Sequence, residues 1–175
     1  MTAKVIENER TAIGSAQKIT RQPDGPGKRI GKKGEISFIG KVAPGAAKLF
    51  RERIPQIQAE AYYWEPRVGT VQDFRATLID NDTRMLVTIV YDGDFKAYLD
   101  DVLREAGPWL EQIFGVWEGF PPKGVKDRKS VDEFVAKILF ECDVFFISNP
   151  DVTARDVAKM KRLSGAVSEL LDAAA

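Results

Sequence analysis

A set of aromatic and polar side chains in the middle of the chain has the composition of a small-molecule site. Aromatic walls can hold a planar substrate, a Tyr or Trp can donate a hydrogen bond to it, and an arginine can neutralise a carboxylate or enolate. The predicted catalytic residues are Arg75, Tyr91 and Asp92. The predicted ligand-binding residues are Tyr62, Tyr63, Trp64, Trp109 and Trp117.

The same residues also have a structural interpretation. The Trp and Tyr rings can fill the core or a dimer interface, with their polar atoms satisfied at its edge. Arg75 can pair with Asp73, or Asp73 can pair across strands with Lys41. The sequence alone leaves both interpretations open.

The absence of histidine excludes several kinds of chemistry. The chain has no His and one cysteine, Cys142. Ser-His-Asp and Cys-His catalysis are therefore excluded, and so is a structural zinc site. The usual proximal ligand of haem iron is also missing. We expect no cofactor, and we expect Cys142, which lies among apolar residues, to pack rather than to act as a nucleophile.

Four aspartates follow the apolar run that ends at Tyr91, at positions 92, 94, 100 and 101. Their spacing does not match a calcium loop, so no metal site is predicted. Asp94 is well placed as the N-cap of a following helix, where its carboxylate would accept backbone N–H groups. Asp100 and Asp101 are expected on a solvated helix face.

Charge is balanced overall, with 26 basic and 26 acidic residues, but it is uneven along the chain. Residues 1–34 carry eight basic and three acidic groups and are rich in Gly and Pro near their end. We predict a basic N-terminal arm over 1–34 and a single α+β domain over 35–175. The arm can touch phosphates, or it can lie on its own domain or on a neighbouring subunit. No nucleic acid partner is expected.

The chain shows no apolar segment of the kind that targets or spans a membrane. The N-terminal residues lack the apolar stretch of a signal peptide, and the single cysteine has no partner for an internal disulfide. We therefore predict a cytoplasmic protein with no membrane partner.

Apolar periodicity predicts the elements that must position these residues. Strands are predicted over 36–42, 71–80, 85–91 and 143–148. A helical pattern over 46–64 contains Pro55, which should kink or split it. A helix after Asp94 should end at Gly107-Pro108, where a short one begins. Ser130 and Thr153 each open a capping box, and the last helix carries an apolar stripe. The members of that stripe are Val157, Met160, Leu163, Val167 and Leu170.

The order of these elements predicts an α+β fold. Its β-α-β-β-α-β core is a ferredoxin-like plait, with a four-stranded antiparallel sheet, an extra short helix and a C-terminal helix. The third and fourth strands are apolar toward both faces, so the outer face of the sheet needs a cover. A second copy of the sheet, or the terminal segments of the chain, can supply it.

The opening at Val42 to Leu49, the hairpin and the corner at Tyr91-Asp92-Gly93 resemble members of the dimeric α+β barrel superfamily. The stretch YDGDFKAYLDDV and the later WLEQIFGVWEGFP are also similar to a group of bacterial ferredoxin-like proteins of undetermined function. The resemblance covers about residues 36–148. It implies a homodimer packed sheet to sheet. The superfamily includes cofactor-free monooxygenases, small-lactone isomerases, haem-degrading enzymes and proteins without known activity.

Two classes of function follow from these observations. The first is a cofactor-independent monooxygenase or isomerase that acts on an aromatic or enolisable metabolite. The alternative is a non-catalytic ligand-binding or assembly module of the same fold, so the sequence does not decide whether the chain is an enzyme. The expected partners are a second copy of the chain, in a homodimer, and a small-molecule ligand.

Overall fold

The computed structural model describes residues 18–174, and these residues form one antiparallel sheet with helices. The strands are β1 (Thr20–Arg21), β2 (Lys28–Ile30), β3 (Lys33–Lys41), β4 (Val71–Ile79), β5 (Arg84–Asp92) and β6 (Leu139–Phe140). The helices are α1 (Ala46–Val68), α2 (Phe95–Phe114), α3 (Arg128–Ile138) and α4 (Ala154–Ala174).

Strand order confirms the ferredoxin-like plait. Strand β5 lies between β3 and β4, and β6 pairs with the other side of β3. All of these pairings are antiparallel. Together with α1 and α2, the order β6-β3-β5-β4 is that of a β-α-β-β-α-β plait. The predicted hairpin is confirmed: residues 80–83 join β4 and β5, and Asp80, Asn81 and Asp82 have positive φ.

The core lies between the inner face of the sheet and the helices. Alternate residues of β3 and β5 point into it, including Ile36, Phe38, Val87 and Ile89. Helix α2 supplies most of the opposite wall through Leu99, Val102, Ala106, Leu110 and Ile113. The period of two in the strands and the period of three to four in α2 are the patterns that predicted both elements.

Two predicted helix breaks do not occur. Helix α1 continues through Pro55, and α2 continues through Gly107 and Pro108. A proline removes one backbone hydrogen bond, but burial of the apolar face on both sides of Pro108 holds α2 together. Gly107 serves close packing instead of a break, because a Cβ there would lie 2.8 Å from Cγ2 of Val125. The short helix predicted after Pro108 is therefore the second half of α2.

The fourth strand was predicted over 143–148, and this position is wrong. Strand β6 is Leu139–Phe140, which pairs with Ser37 and Phe38. Residues 143–148 instead cross the outer face of the sheet, where Phe145 is buried and its neighbours Val144 and Phe146 are more than 80% exposed. Residues of high β propensity fit any extended, half-buried surface, so residues 143–148 can lie across the sheet face without pairing as a strand. The chain therefore covers part of that face itself.

Regular structure begins before the predicted start at Glu35. Strands β1 and β2 form a hairpin that extends the sheet at the beginning of β3. Its basic side chains contact the chain's own domain: Arg29 Nη1 lies 2.6 Å from Asp94 Oδ1, and Lys28 Nζ donates to the Asp143 carbonyl at 2.9 Å. Residues 1–17 lie outside the described range, so the division into an arm and a domain stays a prediction.

The first turn of α2 is capped by a residue that sequence analysis missed. Asp94 stands at the N-cap position but makes no side-chain capping bond. Asp24, in the β1–β2 hairpin, accepts the backbone N–H groups of Phe95 at 3.1 Å and Lys96 at 3.0 Å. The predicted capping role of Asp94 is therefore wrong: its carboxylate binds Arg29, and the hairpin supplies the cap.

Replacement of Asp24 and of Asp94 by alanine should separate these two roles. We expect Asp24→Ala to lower the free energy of unfolding by about 1 kcal/mol, because it leaves two helix N–H groups without an acceptor. Asp94→Ala should cost less than about 0.5 kcal/mol, since it removes only an exposed ion pair. Urea unfolding followed by circular dichroism measures both. Equal losses, or a larger loss for Asp94→Ala, would contradict the assignment.

Candidate functional site

Tyr91 lies on the inner face of β5 and is sealed in the core. It is 0% exposed, and its ring stacks on Tyr98 with centroids 4.3 Å apart. Burial raises the pKa of both phenols well above the ordinary value. The hydroxyl of Tyr91 has no hydrogen-bond partner within residues 18–173. It lines none of the cavities described below.

Both carboxylate oxygens of Asp92 are engaged in structural bonds. Lys33 Nζ lies 2.6 Å from Asp92 Oδ1, and both side chains are almost completely buried. The second oxygen accepts from Gln72 Nε2 at 2.8 Å and from the Ala154 backbone N–H at 2.7 Å. Lys33 Nζ also donates to the Val152 carbonyl. Four segments of the chain therefore meet at one carboxylate.

Arg75 lies on the outer face of the sheet, opposite to Tyr91. Its side chain is 73% exposed, and Nη2 donates to Asp73 Oδ2 at 2.9 Å. In β5 the cross-strand neighbour of Arg75 is Thr88, which alternates with the inward-facing Ile89 and Tyr91. The sheet thus separates two of the three predicted catalytic residues. The structural interpretation of the sequence predicted this pair of Asp73 and Arg75.

Three of the five predicted ligand-binding side chains come together in a groove of about 500 Å³. We call this the aromatic groove. Helix α1, edge strand β4 and helix α2 line it, and the residues that matter below are Gln58, Tyr62, Trp64, Asp73, Phe74 and Trp109. Its volume lies within the range of small-molecule sites, and aromatic and polar side chains share its walls.

The geometry of the groove follows from contacts between its walls. Phe74 of β4 and Trp109 of α2 pack with ring centroids 4.8 Å apart. Trp109 Nε1 donates to the Ile57 carbonyl at 2.8 Å, which fixes the ring against α1. Trp64 Nε1 is buried and has no acceptor within the described part of the chain. A buried donor without a partner costs free energy, but because this nitrogen has almost no exposed surface, a ligand in the groove does not reach it.

The other two aromatic residues lie elsewhere. Tyr63 is half-exposed on α1, and the guanidinium of Arg67 stands 3.5 Å from the centre of its ring. Trp117 is buried, and its Nε1 lies 3.2 Å from the sulfur of Met85. Trp117 therefore packs in the core, as the structural interpretation of the sequence predicted.

The four aspartates after Tyr91 each pair with a different cation. Besides Asp92, Asp94 pairs with Arg29, Asp100 with Arg128 and Asp101 with Arg104. Among residues 18–173, no three His, Cys, Asp or Glu side chains are grouped as metal ligands would be.

A second depression of about 500 Å³ lies on the outer face of the sheet. Glu35, Ser37, Arg75 and Thr88 form its floor, and residues 144–147 form one side. Glu35 is buried and accepts the backbone N–H groups of Lys28 and Cys142. Its carboxylate therefore anchors the chain that follows β6 onto the sheet.

Comparison with known proteins leaves function open. No family model matches the sequence, and no curated protein matches it. One solved structure that is similar is described as "Putative antibiotic biosynthesis monooxygenase from Nitrosomonas europaea". It shares 14% identity, with a TM-score of 0.38 over 52% of this chain and 84% of that one. The fold assignment above therefore depends on strand order. None of the helices within residues 18–174 has the length and apolar character needed to cross a bilayer.

The thiol of Cys142 gives a test of the region around Glu35. Burial, followed by the nearby Glu35 carboxylate, raises the pKa of this thiol to about 11. Because the thiolate is the reactive form, alkylation of the native protein by iodoacetamide should be slow at neutral pH. Its rate should rise about tenfold per pH unit as pH approaches that pKa.

The same chain unfolded in urea is the control, since its thiol should titrate near its ordinary pKa of about 8.5. The rate is measured by mass spectrometry of the alkylated protein. In the unfolded control, the alkylation rate should stop rising near the ordinary thiol pKa. If the rate of the native protein stopped rising at the same pH or a lower one, the raised pKa of Cys142 would be contradicted.

Proposed function

We propose that this chain is a ligand-binding module that holds a small planar molecule in the aromatic groove. The observation that carries the proposal is the aromatic wall of the groove, which is formed by Tyr62, Trp64, Phe74 and Trp109. Stacking against these rings would supply affinity. Gln58, which lines the groove and is exposed, would hydrogen-bond a polar atom of the ligand and fix its orientation.

A binding role fits the groove better than the predicted catalytic role. Catalysis by Arg75, Tyr91 and Asp92 would require groups that lie on opposite faces of the sheet or are held in structural bonds. Binding requires only the walls that the groove already provides. The ligand class is therefore a planar aromatic or conjugated molecule with a polar atom that Gln58 can hydrogen-bond.

Blocking the groove should abolish binding of a probe such as 2-naphthol, measured by isothermal titration calorimetry. Gln58 lines the groove and is exposed, so Gln58→Trp should fill it without disturbing the core. The matched control is Ala59→Trp, because Ala59 is also exposed on α1 and lies outside the lining. We expect the first variant to lose at least about tenfold in affinity and the second to bind normally. Equal affinities for both variants would contradict the proposal.

A cofactor-independent monooxygenase or isomerase is the second candidate function. The observation that favours it is the Asp73–Arg75 pair at the rim, because Asp73 lines both the aromatic groove and the outer depression. A carboxylate there could accept a proton from an enolisable ligand, and Arg75 could stabilise the anion formed. Oxygen uptake with hydroquinones tests the oxygenase. Activity lost in Asp73→Asn, with binding retained, would support catalysis; no uptake by the wild type would count against it.

A homodimer and a cytoplasmic location are part of the same proposal. The outer face of the sheet keeps half-exposed apolar side chains, among them Ile39, Leu86 and Val90, beside the exposed Val144 and Phe146. A second copy packed against this face would bury them. Sedimentation equilibrium of the full chain measures the association. A monomer at all micromolar concentrations would contradict it.

A further inference from the structure

The aromatic groove carries charge of one sign. Its charged lining residues are Glu65 of α1 and Asp73 of β4, both acidic. Among the residues that the structure describes, no lysine or arginine lines it. Glu65 shares a face of α1 with Gln58, Tyr62 and Val68, because these positions follow one another at helical spacings of three and four. The carboxylate of Glu65 therefore belongs to the wall of the groove.

The two carboxylates of the groove differ in how far the chain neutralises them. Within residues 18–173, Glu65 takes part in no ion pair. Asp73 accepts from Arg75 Nη2 at 2.9 Å, so part of its charge is offset. Arg75 itself is exposed and does not line the groove. The net charge at the wall of the groove is therefore negative, and Glu65 supplies most of it.

Arg67 lies in the last turn of α1, near Glu65 in the sequence, but it binds Tyr63 instead. Its guanidinium stands 3.5 Å from the centre of the Tyr63 ring, and Nη1 donates to the Tyr63 carbonyl. Neither Arg67 nor Tyr63 lines the groove. The basic residue of this turn therefore leaves the Glu65 carboxylate available to a ligand.

Three features of the groove attract positive charge. A cleft lined by charge of one sign raises the local concentration of the opposite ion. The faces of aromatic rings carry partial negative charge and bind cations, best of all on tryptophan, and Trp64 and Trp109 both line the groove. Helix α1 ends at Val68, another lining residue, and the C-terminal end of a helix carries partial negative charge. All three features favour a cation over an anion.

We propose that the ligand of the aromatic groove is a cation, a planar ring system with a positively charged nitrogen on the ring or beside it. This inference rests on the proposed function and specifies the charge of its ligand. The rings of the groove stack on the planar part, and Glu65 binds the charged nitrogen. A neutral ring of the same size lacks this ionic contact, and an anionic ring is repelled by Glu65 and Asp73. Affinity therefore falls in the order cation, neutral molecule, anion.

Three naphthalene probes that differ in charge test this order by isothermal titration calorimetry at neutral pH and about 10 mM ionic strength, where screening is weak. They are 2-naphthylmethylammonium, 2-naphthylmethanol and 2-naphthoate. We expect the cation to bind at least about threefold more tightly than the alcohol, and the anion to bind most weakly. Salt at about 1 M should reduce the preference for the cation. Gln58→Trp should abolish binding of the cation, which would place it in the groove.

The outcomes separate this inference from the function on which it rests. If the alcohol binds as tightly as the cation or more tightly, the inference is wrong, while the groove is still a ligand site. If neither these probes nor 2-naphthol bind, the proposed function fails and the inference fails with it.

Glu65→Gln tests the role of the carboxylate, because it removes the charge and keeps the size of an exposed side chain. Affinity for 2-naphthylmethylammonium should fall about threefold to fivefold, while affinity for 2-naphthylmethanol should change less than about twofold. The matched control is Glu52→Gln, the same change at an exposed position of α1 outside the lining, which should leave both affinities unchanged. No loss of cation affinity in Glu65→Gln, or an equal loss in both variants, would overturn the inference.

Discussion

The Lys33 ammonium and the Asp92 carboxylate meet at 2.6 Å where β3 begins and β5 ends. The two residues are cross-strand partners, so the sheet itself brings them together. Removal of two charges from water is costly unless each is paired and hydrogen-bonded. Here the remaining acceptor positions of Asp92 are used by Gln72 and by the first N–H of α4. The pair therefore specifies where the hairpin, the sheet edge and the C-terminal helix meet.

This constraint has a consequence for function. The polar residues at the end of β5 anchor the fold, because both oxygens of the Asp92 carboxylate are engaged in structural bonds. Tyr91, one residue earlier, points into the core and stacks on Tyr98. The proposed ligand site lies beside edge strand β4, where Trp64 and Trp109 line the aromatic groove. Gln72 joins the two regions, because it binds Asp92 and also lines this groove.

Much of the fold followed from local patterns. The β4–β5 hairpin was predictable because two alternating strands flank Asn81-Asp82, and the capping box at Thr153 was predictable because its partners are three residues apart. The order of elements was then enough to predict the plait. The position of the fourth strand was not, since residues 143–148 have the alternation of a strand but lie across the sheet face.

Contacts between residues far apart in the chain could not be predicted from the sequence. Nothing local distinguishes Lys33, which is buried, from Lys32, which is exposed; the register of β3 against β5 decides. The capping of α2 by Asp24 joins residues 71 positions apart. For the candidate site, Tyr62, Trp64 and Trp109 line one groove, and their ligand-binding role stays a prediction. Residue type failed to bring Arg75 and Tyr91 together, because the face of each depends on the pairing of β4 with β5.

A double-mutant cycle on Lys33 and Asp92 tests the central claim most directly. Lys33→Met and Asp92→Asn are made singly and together, and the free energy of unfolding is measured in urea. Each single change should cost about 3–5 kcal/mol because it leaves a buried charge without its partner. The double variant should cost less than the sum of the two by at least about 2 kcal/mol. Losses that add to within about 0.5 kcal/mol would show that the two residues act independently and would contradict the account.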